Sequence, residues 1–125
     1  MITLWHNPRC SKSRAALDLL EQEGYCVSVR RYLEHAPDAA ELRRLIQMLD
    51  LRAIDMMRTT EPEFTAMGLC VRDDPETLIA AMADRPRLIE RPIAIAGDAA
   101  IIGRPPERVL ELASAQSRAD RSSAG

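Results

Sequence analysis

The chain has 125 residues, of which 46% are hydrophobic, and a formal net charge of −2 at pH 7. These values suit one globular domain, and the near-neutral charge argues against a protein that mainly coats nucleic acid, because such binding neutralises phosphates. No segment reaches the roughly 20 apolar residues of a membrane span, and the N-terminus lacks the pattern of a signal peptide. We therefore expect a cytoplasmic protein with neither nucleic-acid nor membrane partners.

The first third of the chain predicts a β-α-β unit. Residues 2–5 alternate between apolar and polar, which is typical of a strand, and an amphipathic helix is predicted over residues 11–23. Gly24 is the natural end of that helix. A second alternating segment over residues 26–32 predicts a strand parallel to the first.

The middle of the chain is predicted to be helical. Asp38 followed by Glu41 resembles a capping box, and apolar residues recur at helical spacing up to residue 49. Short helical pieces are predicted over residues 52–57 and 61–67, and Asp74-Pro75 is a typical start for a helix over 77–83. Since no strand pattern occurs from about 36 to 87, we interpret this stretch as a helical insertion.

Strands return near the C-terminus. Residues 92–96 and 99–102, separated by Gly97-Asp98, predict a β-hairpin, and Pro105-Pro106 opens a last helix. Residues 114–125 lack an apolar stripe and are predicted to be a disordered tail. The order β-α-β, helical insertion, β-β-α predicts one α/β domain over residues 1–113, with a mixed sheet of the thioredoxin-like type.

Cys10 is the main candidate for chemistry. It lies between the first strand and the first predicted helix, where outward-pointing N–H groups and the helix dipole favour negative charge. A thiol in such a place ionises easily, and the thiolate is the nucleophile. The alternative role is a small buried apolar side chain. For Cys26 and Cys70 an inert role is the better interpretation, and the odd number of cysteines predicts neither a disulfide framework nor a metal site.

Ser13 occupies the position where a second cysteine would complete a Cys-x-x-Cys motif. A lone thiol cannot resolve its own mixed disulfide, so an external thiol is required. The Ser13 hydroxyl is also a candidate to hydrogen-bond the thiolate and lower its pKa. Two interpretations of His6 stay open, namely a residue that supports the thiolate and a histidine whose bonds only stabilise the loop.

Arginines directly precede prolines at Arg85, Arg91 and Arg104. Arg91 and Arg104 flank the predicted hairpin, so both lie at edges of the sheet, where guanidinium groups can bind an oxyanion bidentately. On spacing alone, surface residues of an arginine-rich chain remain the favoured interpretation.

Several separated motifs occur together in this chain. They are His6-Asn7-Pro8-x-Cys10-x-x-Ser13-Arg14, Tyr32-Leu33-Glu34, Met57-Arg58-x-x-Glu61, Glu90-Arg91-Pro92-Ile93 and Gly103-Arg104-Pro105-Pro106-Glu107-x-Val109-Leu110. In this order they resemble the ArsC family, the glutaredoxin-linked arsenate reductases. The resemblance runs from residue 2 to about 112, and the loop sequence favours a shorter branch whose physiological substrate is open.

The resemblance implies a reaction. Cys10 would attack the arsenic of arsenate, and Arg58, Arg91 and Arg104 would bind the oxyanion. Glutathione would act as co-substrate, and glutaredoxin would reduce the mixed disulfide so that arsenite is released. No bound cofactor or metal is implied, and the expected physiological role is arsenic resistance.

The resemblance also implies supporting residues. His6, Ser13 and Arg14 match the active-site loop of the family. Pro92 matches the proline that thioredoxin-like folds hold in cis beside the active cysteine, and cis bonds are rare except before proline.

Two other functions remain as alternatives. Spx-type regulators share this fold and bind RNA polymerase, but they typically carry Cys-x-x-Cys as a redox switch. A general glutathione-dependent thiol reductase would have no use for three arginines around its thiol. The monothiol motif and the arginines therefore favour the oxyanion-reducing enzyme.

Overall fold

The structure is a computed structural model that describes residues 2–115. Most of the predicted tail, residues 116–125, lies outside the described residues. The chain forms two compact units, of which the first combines Met1–Arg31 with Arg91–Gly125 and the second is Tyr32–Glu90. Among the described residues, no helix is both long and apolar enough to cross a membrane.

The first unit contains a four-stranded mixed sheet in the order β2-β1-β3-β4. Strand β1 (Ile2–Trp5) pairs in parallel with β2 (Val27–Arg30) and antiparallel with β3 (Ile93–Ala96). Strand β4 (Ala99–Ile102) completes the predicted hairpin with β3. The predicted α/β class with a mixed sheet is confirmed.

Helix α1 (Ser11–Gln22) connects the two parallel strands, as predicted. It ends before Gly24, whose φ of 82° belongs to the left-handed region that favours glycine. The Tyr25 N–H donates to the Leu20 carbonyl, which satisfies one of the free carbonyls at the helix end.

A buried core joins the sheet to α1 and to the last helix, residues 108–115. Its members share full or nearly full burial and are mostly aliphatic: Ile2, Leu4, Ala16, Leu20, Ala94, Ala96, Val109, Leu112 and Ala113. The alternation of the strands places their contributions on one face of the sheet. This core fixes the start of α1 relative to the ends of β1 and β3.

The structure differs from the sequence prediction at three places in this unit. Strand β2 covers only residues 27–30, and its two central side chains are exposed because β2 is an edge of the sheet. The last helix begins at residue 108, after turns in which the Arg108 N–H donates to the Pro105 carbonyl. Residues 114 and 115 are helical, not part of a disordered tail.

The second unit is built from short helices. They are α2 (Ala39–Leu49), a 3₁₀ turn (Ala53–Met56), α3 (Pro62–Ala66), α4 (Pro75–Asp84) and a second 3₁₀ turn (Pro86–Leu88). The Asp38 side chain accepts the Glu41 N–H at 2.8 Å, as the cap pattern predicts. An isolated antiparallel bridge joins Met57 to Ile89, so the middle of this unit lies beside its C-terminal end.

Candidate active site

The loop between β1 and α1 is fixed by its own hydrogen bonds. Asn7 is almost fully buried, and its side-chain carbonyl accepts the Arg9 N–H at 3.0 Å. The Asn7 backbone carbonyl accepts the Cys10 N–H, also at 3.0 Å. Asn7 therefore sets the turn that delivers Cys10 to the helix start. Asn7 stands inside the motif, but the sequence pattern indicates no role for it.

Cys10 is the N-cap residue of α1, with an extended backbone (φ −95°, ψ 121°). Its half-buried thiol faces the first turn of the helix, where N–H groups have no partner within the helix. Burial alone raises the pKa of Cys10, but bonds from the Ser13 N–H, the Arg91 guanidinium and the Lys12 N–H, together with the charge of Arg91, bring it below the ordinary thiol value. The geometry thus favours a thiolate.

Ser13 supports the loop through its side chain and the thiol through its backbone. The fully buried hydroxyl accepts the Asn7 N–H at 3.0 Å and lies 2.6 Å from His6 Nδ1. When neutral His6 carries its proton on Nε2, the single hydroxyl proton of Ser13 is donated to Nδ1. The described partners of the hydroxyl are thus Asn7 and His6, and the bond from Ser13 to the Cys10 sulfur comes from its backbone amide.

His6 is a buried loop residue at the end of β1. Its N–H donates to the Arg30 carbonyl at 2.8 Å, and its ring contacts Ser13. Burial lowers the pKa of His6, and the nearby charges of Arg31 and Arg14 lower it further. The neutral imidazole is thus the favoured form. Of the two open interpretations, the described hydrogen bonds fit the loop-stabilising one.

Arg14 lies in the first turn of α1 and reaches back to the loop. Its Nη1 donates to the Pro8 carbonyl at 2.9 Å, at an exposed position. The bond ties the loop before Cys10 to the helix after it. Arg14 is therefore placed as a support for the loop.

Arg91 and Arg104 come together beside Cys10. The Arg91 guanidinium donates to the Cys10 sulfur, and Arg104 Nε donates to the Arg91 carbonyl at 2.8 Å. The peptide bonds Arg91–Pro92 and Arg104–Pro105 are both cis. Two arginines that the sequence places at the ends of the hairpin thus lie in the same part of the first unit as the thiol.

Gly103 is needed because two segments approach each other closely. Its N–H donates to the Pro92 carbonyl at 2.8 Å. A Cβ at this position would lie 2.9 Å from side-chain atoms of both Pro92 and Val109. Any larger residue at this position would force the backbone at residue 103, Pro92 or Val109 to shift. In the sequence, the glycine directly before Arg104 is the feature that could have predicted this close contact.

Arg58 lies in the second unit, where two carboxylates bind it. Its Nε donates to Glu61 at 2.9 Å, and its Nη1 donates to Glu90 at 3.2 Å. Both glutamates belong to the motifs, but the sequence pattern indicates no function for them. Their contact with Arg58 is the second feature of the site that sequence reasoning missed.

The remaining cysteines stand in different surroundings. Cys26 and Cys70 are both exposed, and all three cysteines are free thiols. The Cys70 N–H donates to Asp73 at 2.8 Å, so an acidic side chain folds over that loop. The Cys10 sulfur, by contrast, accepts bonds from the Ser13 and Lys12 amides and from Arg91.

The first unit therefore combines a nucleophile with cationic hydrogen-bond donors. A thiolate at a helix N-terminus can attack an electrophilic centre, and guanidinium groups beside it can bind the oxygens of a tetrahedral anion. Among residues 2–115, no group of three or more His, Cys, Asp or Glu residues is arranged to hold a metal ion.

Comparison with known proteins identifies the same family as the motifs. The model of the ArsC family matches residues 5–112. The chain is 46% identical to the uncharacterized protein YfgD of Escherichia coli strain K12 over 113 residues, covering 89% of this chain and 95% of that protein. It is 44% identical over 113 residues to an arsenate reductase of Neisseria meningitidis serogroup B, covering 86% and 94% respectively.

The structure agrees with these sequence matches. The arsenate reductase from Vibrio cholerae superimposes with a TM-score of 0.85 at 46% identity, over 88% of this chain and 95% of that one. This match confirms the predicted thioredoxin-like fold. Because the family model spans most of the chain and the relatives exceed 40% identity over almost their whole length, the chain belongs to the ArsC family.

Proposed function

We propose that this protein is an arsenate reductase-like thiol oxidoreductase in which the Cys10 thiolate attacks arsenate. The observation that carries the proposal is the position of Cys10 as the N-cap of α1, beside Arg91. Burial there raises the pKa of Cys10, but bonds from the Ser13 amide, the Arg91 guanidinium and the Lys12 amide outweigh it and lower the pKa. The printed names of relatives such as the Neisseria enzyme support arsenate as the substrate.

The first step forms a bond between Cys10 sulfur and arsenic. The thiolate supplies the electron pair, and one arsenate oxygen takes up protons and leaves as water. Arg91 already donates to the sulfur, which supports a role for its guanidinium in binding the arsenate oxygens. Positive donors that are fixed in advance stabilise the negative charge of these oxygens at little reorganisation cost.

The later steps need outside thiols. Glutathione adds to the adduct, and as its sulfur bonds to Cys10 sulfur, the electron pair of the sulfur–arsenic bond stays on arsenic. Arsenic leaves as arsenite, and Cys10 remains in a mixed disulfide with glutathione. Ser13 in place of a second cysteine means that the loop itself cannot release this disulfide, so glutaredoxin reduces it.

The three arginines have different support in this proposal. Arg91 contacts the thiol directly, and Arg104 is bonded to the Arg91 carbonyl. Arg58 keeps the role of oxyanion ligand from the family resemblance. His6, Ser13 and Arg14 act on the loop, and Pro92 adjoins Arg91.

An assay of arsenate reduction tests the proposal. Purified protein is supplied with arsenate, glutathione and glutaredoxin, and arsenite formation is measured for wild type, Cys10→Ser and Arg91→Ala. We expect turnover by wild type, none by Cys10→Ser, and a large loss in Arg91→Ala. Cys70→Ser is the matched control, because it removes an exposed thiol without touching Cys10. Wild-type activity equal to that of Cys10→Ser would overturn the assignment.

Two alternatives make different predictions in the same experiment. A general glutathione-dependent thiol reductase would reduce a mixed disulfide of glutathione with undiminished activity in Arg91→Ala. A regulator of the Spx type would bind purified RNA polymerase and show no turnover. Either result, without arsenite formation, would replace the enzyme proposal.

A further inference from the structure

Two glutamates of the family-like motifs take no part in the proposed reaction, and both contact the same arginine. Glu61 Oε1 accepts from Arg58 Nε at 2.9 Å, and Glu90 Oε1 accepts from Arg58 Nη1 at 3.2 Å. One carboxylate comes from three residues further along the chain and the other from 32 residues away. The guanidinium is thus bound by two carboxylates from separate segments.

The backbone fixes the starting points of these side chains. The Arg58 N–H donates to the Leu88 carbonyl at 2.7 Å, and the Glu90 N–H donates to the Met56 carbonyl at 2.8 Å. These bonds flank the bridge between Met57 and Ile89, so Arg58 and Glu90 extend from adjacent strands of chain. Because the backbone is already fixed at both residues, forming the ion pair between Arg58 and Glu90 costs less conformational entropy.

Glu61 is fixed independently at the start of α3. Its N–H donates to the Arg58 carbonyl at 3.2 Å, and its carbonyl accepts the Phe64 N–H at 3.0 Å. Pro62 at the first helical position restricts the backbone next to it. The carboxylate of Glu61 therefore contacts Arg58 from a second segment whose backbone is held by hydrogen bonds.

Burial gives these contacts more weight than surface ion pairs have. The side-chain exposures are 20% for Arg58, 14% for Glu61 and 22% for Glu90. Exposed pairs contribute little because water and salt screen them and because long side chains lose entropy. A half-buried guanidinium bound at Nε and at Nη1 has the orientation of its plane determined.

We propose that Glu61 and Glu90 are positioning residues that hold the Arg58 guanidinium in the orientation in which it binds an oxyanion. This inference rests on the proposed function, which gives Arg58 to the oxyanion. Two carboxylates near an anion-binding arginine weaken its attraction for anions. If charge alone mattered, removing Glu61 or Glu90 would therefore strengthen anion binding, whereas loss of the orientation of Arg58 would weaken it. The sign of the effect of removing them therefore separates orientation from charge.

Phosphate protection of Cys10 measures the effect without requiring turnover. Inorganic phosphate is a tetrahedral oxyanion that does not react with the thiol, and its binding beside Cys10 slows alkylation by iodoacetamide. The half-protecting phosphate concentration is determined for wild type, Arg58→Ala, Glu61→Ala and Glu90→Ala. The Gln variants of both glutamates remove the same charge but keep one acceptor oxygen, and they also serve where an Ala variant fails to fold.

We expect Arg58→Ala to weaken phosphate protection about tenfold, the usual weight of one charge-assisted hydrogen bond. Glu61→Ala and Glu90→Ala are expected to weaken it roughly three- to tenfold, and the Gln variants less. In the Arg58→Ala background the glutamate substitutions should cause no further loss, because they act through Arg58. Glu76→Ala is the control, since it removes a carboxylate bonded to Arg43 in the same unit.

Three results would overturn the inference. These are tighter phosphate binding in the glutamate variants, equal losses with and without Arg58, and unchanged protection in all variants. Absence of arsenate turnover in wild type, with the pattern of phosphate protection intact, would instead count against the proposed reaction and leave the positioning role standing.

Discussion

Two cysteines of this chain precede helices, and the described surroundings of the two cysteines differ. Cys10 is itself the N-cap of α1, whose first turn carries Lys12 and no acidic residue. Cys70 lies five residues before Pro75, the first residue of α4, and Asp73 binds its backbone. The start of α4 also carries Glu76, the usual choice at the positive end of a helix.

A position before a helix therefore does not by itself give a cysteine the contacts that Cys10 has. At Cys10 the sulfur receives the Ser13 and Lys12 amides directly, and Arg91 adds a charged donor. At α4 the first residue is proline, which has no N–H to donate. Basic residues at the positive end of α1 are unfavourable for the helix dipole, but they favour an anion beside Cys10.

The largest effect is expected from removing the charged donor of the Cys10 loop. Arg91→Ala should lower the rate of arsenate reduction about 100-fold, comparable to the loss of one oxyanion-stabilising donor. It should also raise the pKa of Cys10, because a bond and a charge that lower it are removed. Arsenite formation and the pH dependence of Cys10 alkylation measure the two effects.

The matched control for Arg91 lies in the other loop. Arg72→Ala removes an exposed arginine two residues after Cys70, and arsenate turnover should stay within about twofold of wild type. Equal losses in Arg72→Ala and Arg91→Ala would mean that general positive charge, not contact with the sulfur, drives the reaction.

A smaller effect is expected when α1 is given the acidic first turn that α4 has. Lys12→Glu should slow Cys10 alkylation at neutral pH roughly three- to tenfold, because a charge change of two at a helix start is worth about 1 kcal/mol. Arg44→Glu makes the same charge change at an exposed position of α2. A slowing of the same size in Arg44→Glu would show that the effect of Lys12 is not local.

The local part of the fold and site follows from the sequence. Strand β1 and the hairpin were predicted because alternation and turn residues act over a few positions. The start of α1 at Ser11 was predicted for the same reason, and with it the position of Cys10. Local pattern therefore suffices to place the nucleophile.

The donors around the nucleophile do not follow from local pattern. The contact of Arg91 with Cys10 depends on strand pairing across the sheet, and the bond from Arg104 to the Arg91 carbonyl spans 13 positions. The two carboxylates on Arg58 likewise meet only after the second unit has folded. Spacing alone favoured plain surface residues for Arg91 and Arg104, and only the family resemblance indicated an oxyanion-binding role.

One detail of the site was predicted with the right residue and the wrong atom. Ser13 was expected to support the thiolate through its hydroxyl, but the hydroxyl is bound by Asn7 and His6. The backbone N–H supplies the bond instead, because the first turn of a helix leaves its amides free. A sequence pattern specifies residue types, and it does not distinguish a side-chain donor from the amide of the same residue.

The smallest expected effect concerns stability. The pKa of Cys10 is lowered in the folded protein, where bonds from Ser13, Arg91 and Lys12 outweigh the burial that raises it. The thiolate thus stabilises the fold fully above the ordinary thiol pKa of about 8.5, and this contribution is lost as the pH falls through the lowered folded value. The unfolding free energy of wild type relative to Cys10→Ser should therefore rise with pH. Urea titrations at several pH values would measure this, and a difference that falls with pH would contradict it.

The pH dependence of alkylation at all three cysteines tests the central claim most directly. Wild-type protein is treated briefly with iodoacetamide between pH 5 and 10, and modification of Cys10, Cys26 and Cys70 is quantified by mass spectrometry in the same sample. We predict that Cys10, although less exposed than the other two, reaches half of its maximal rate at a lower pH and reacts fastest below pH 7. The same half-maximal pH for all three cysteines would contradict an activated Cys10.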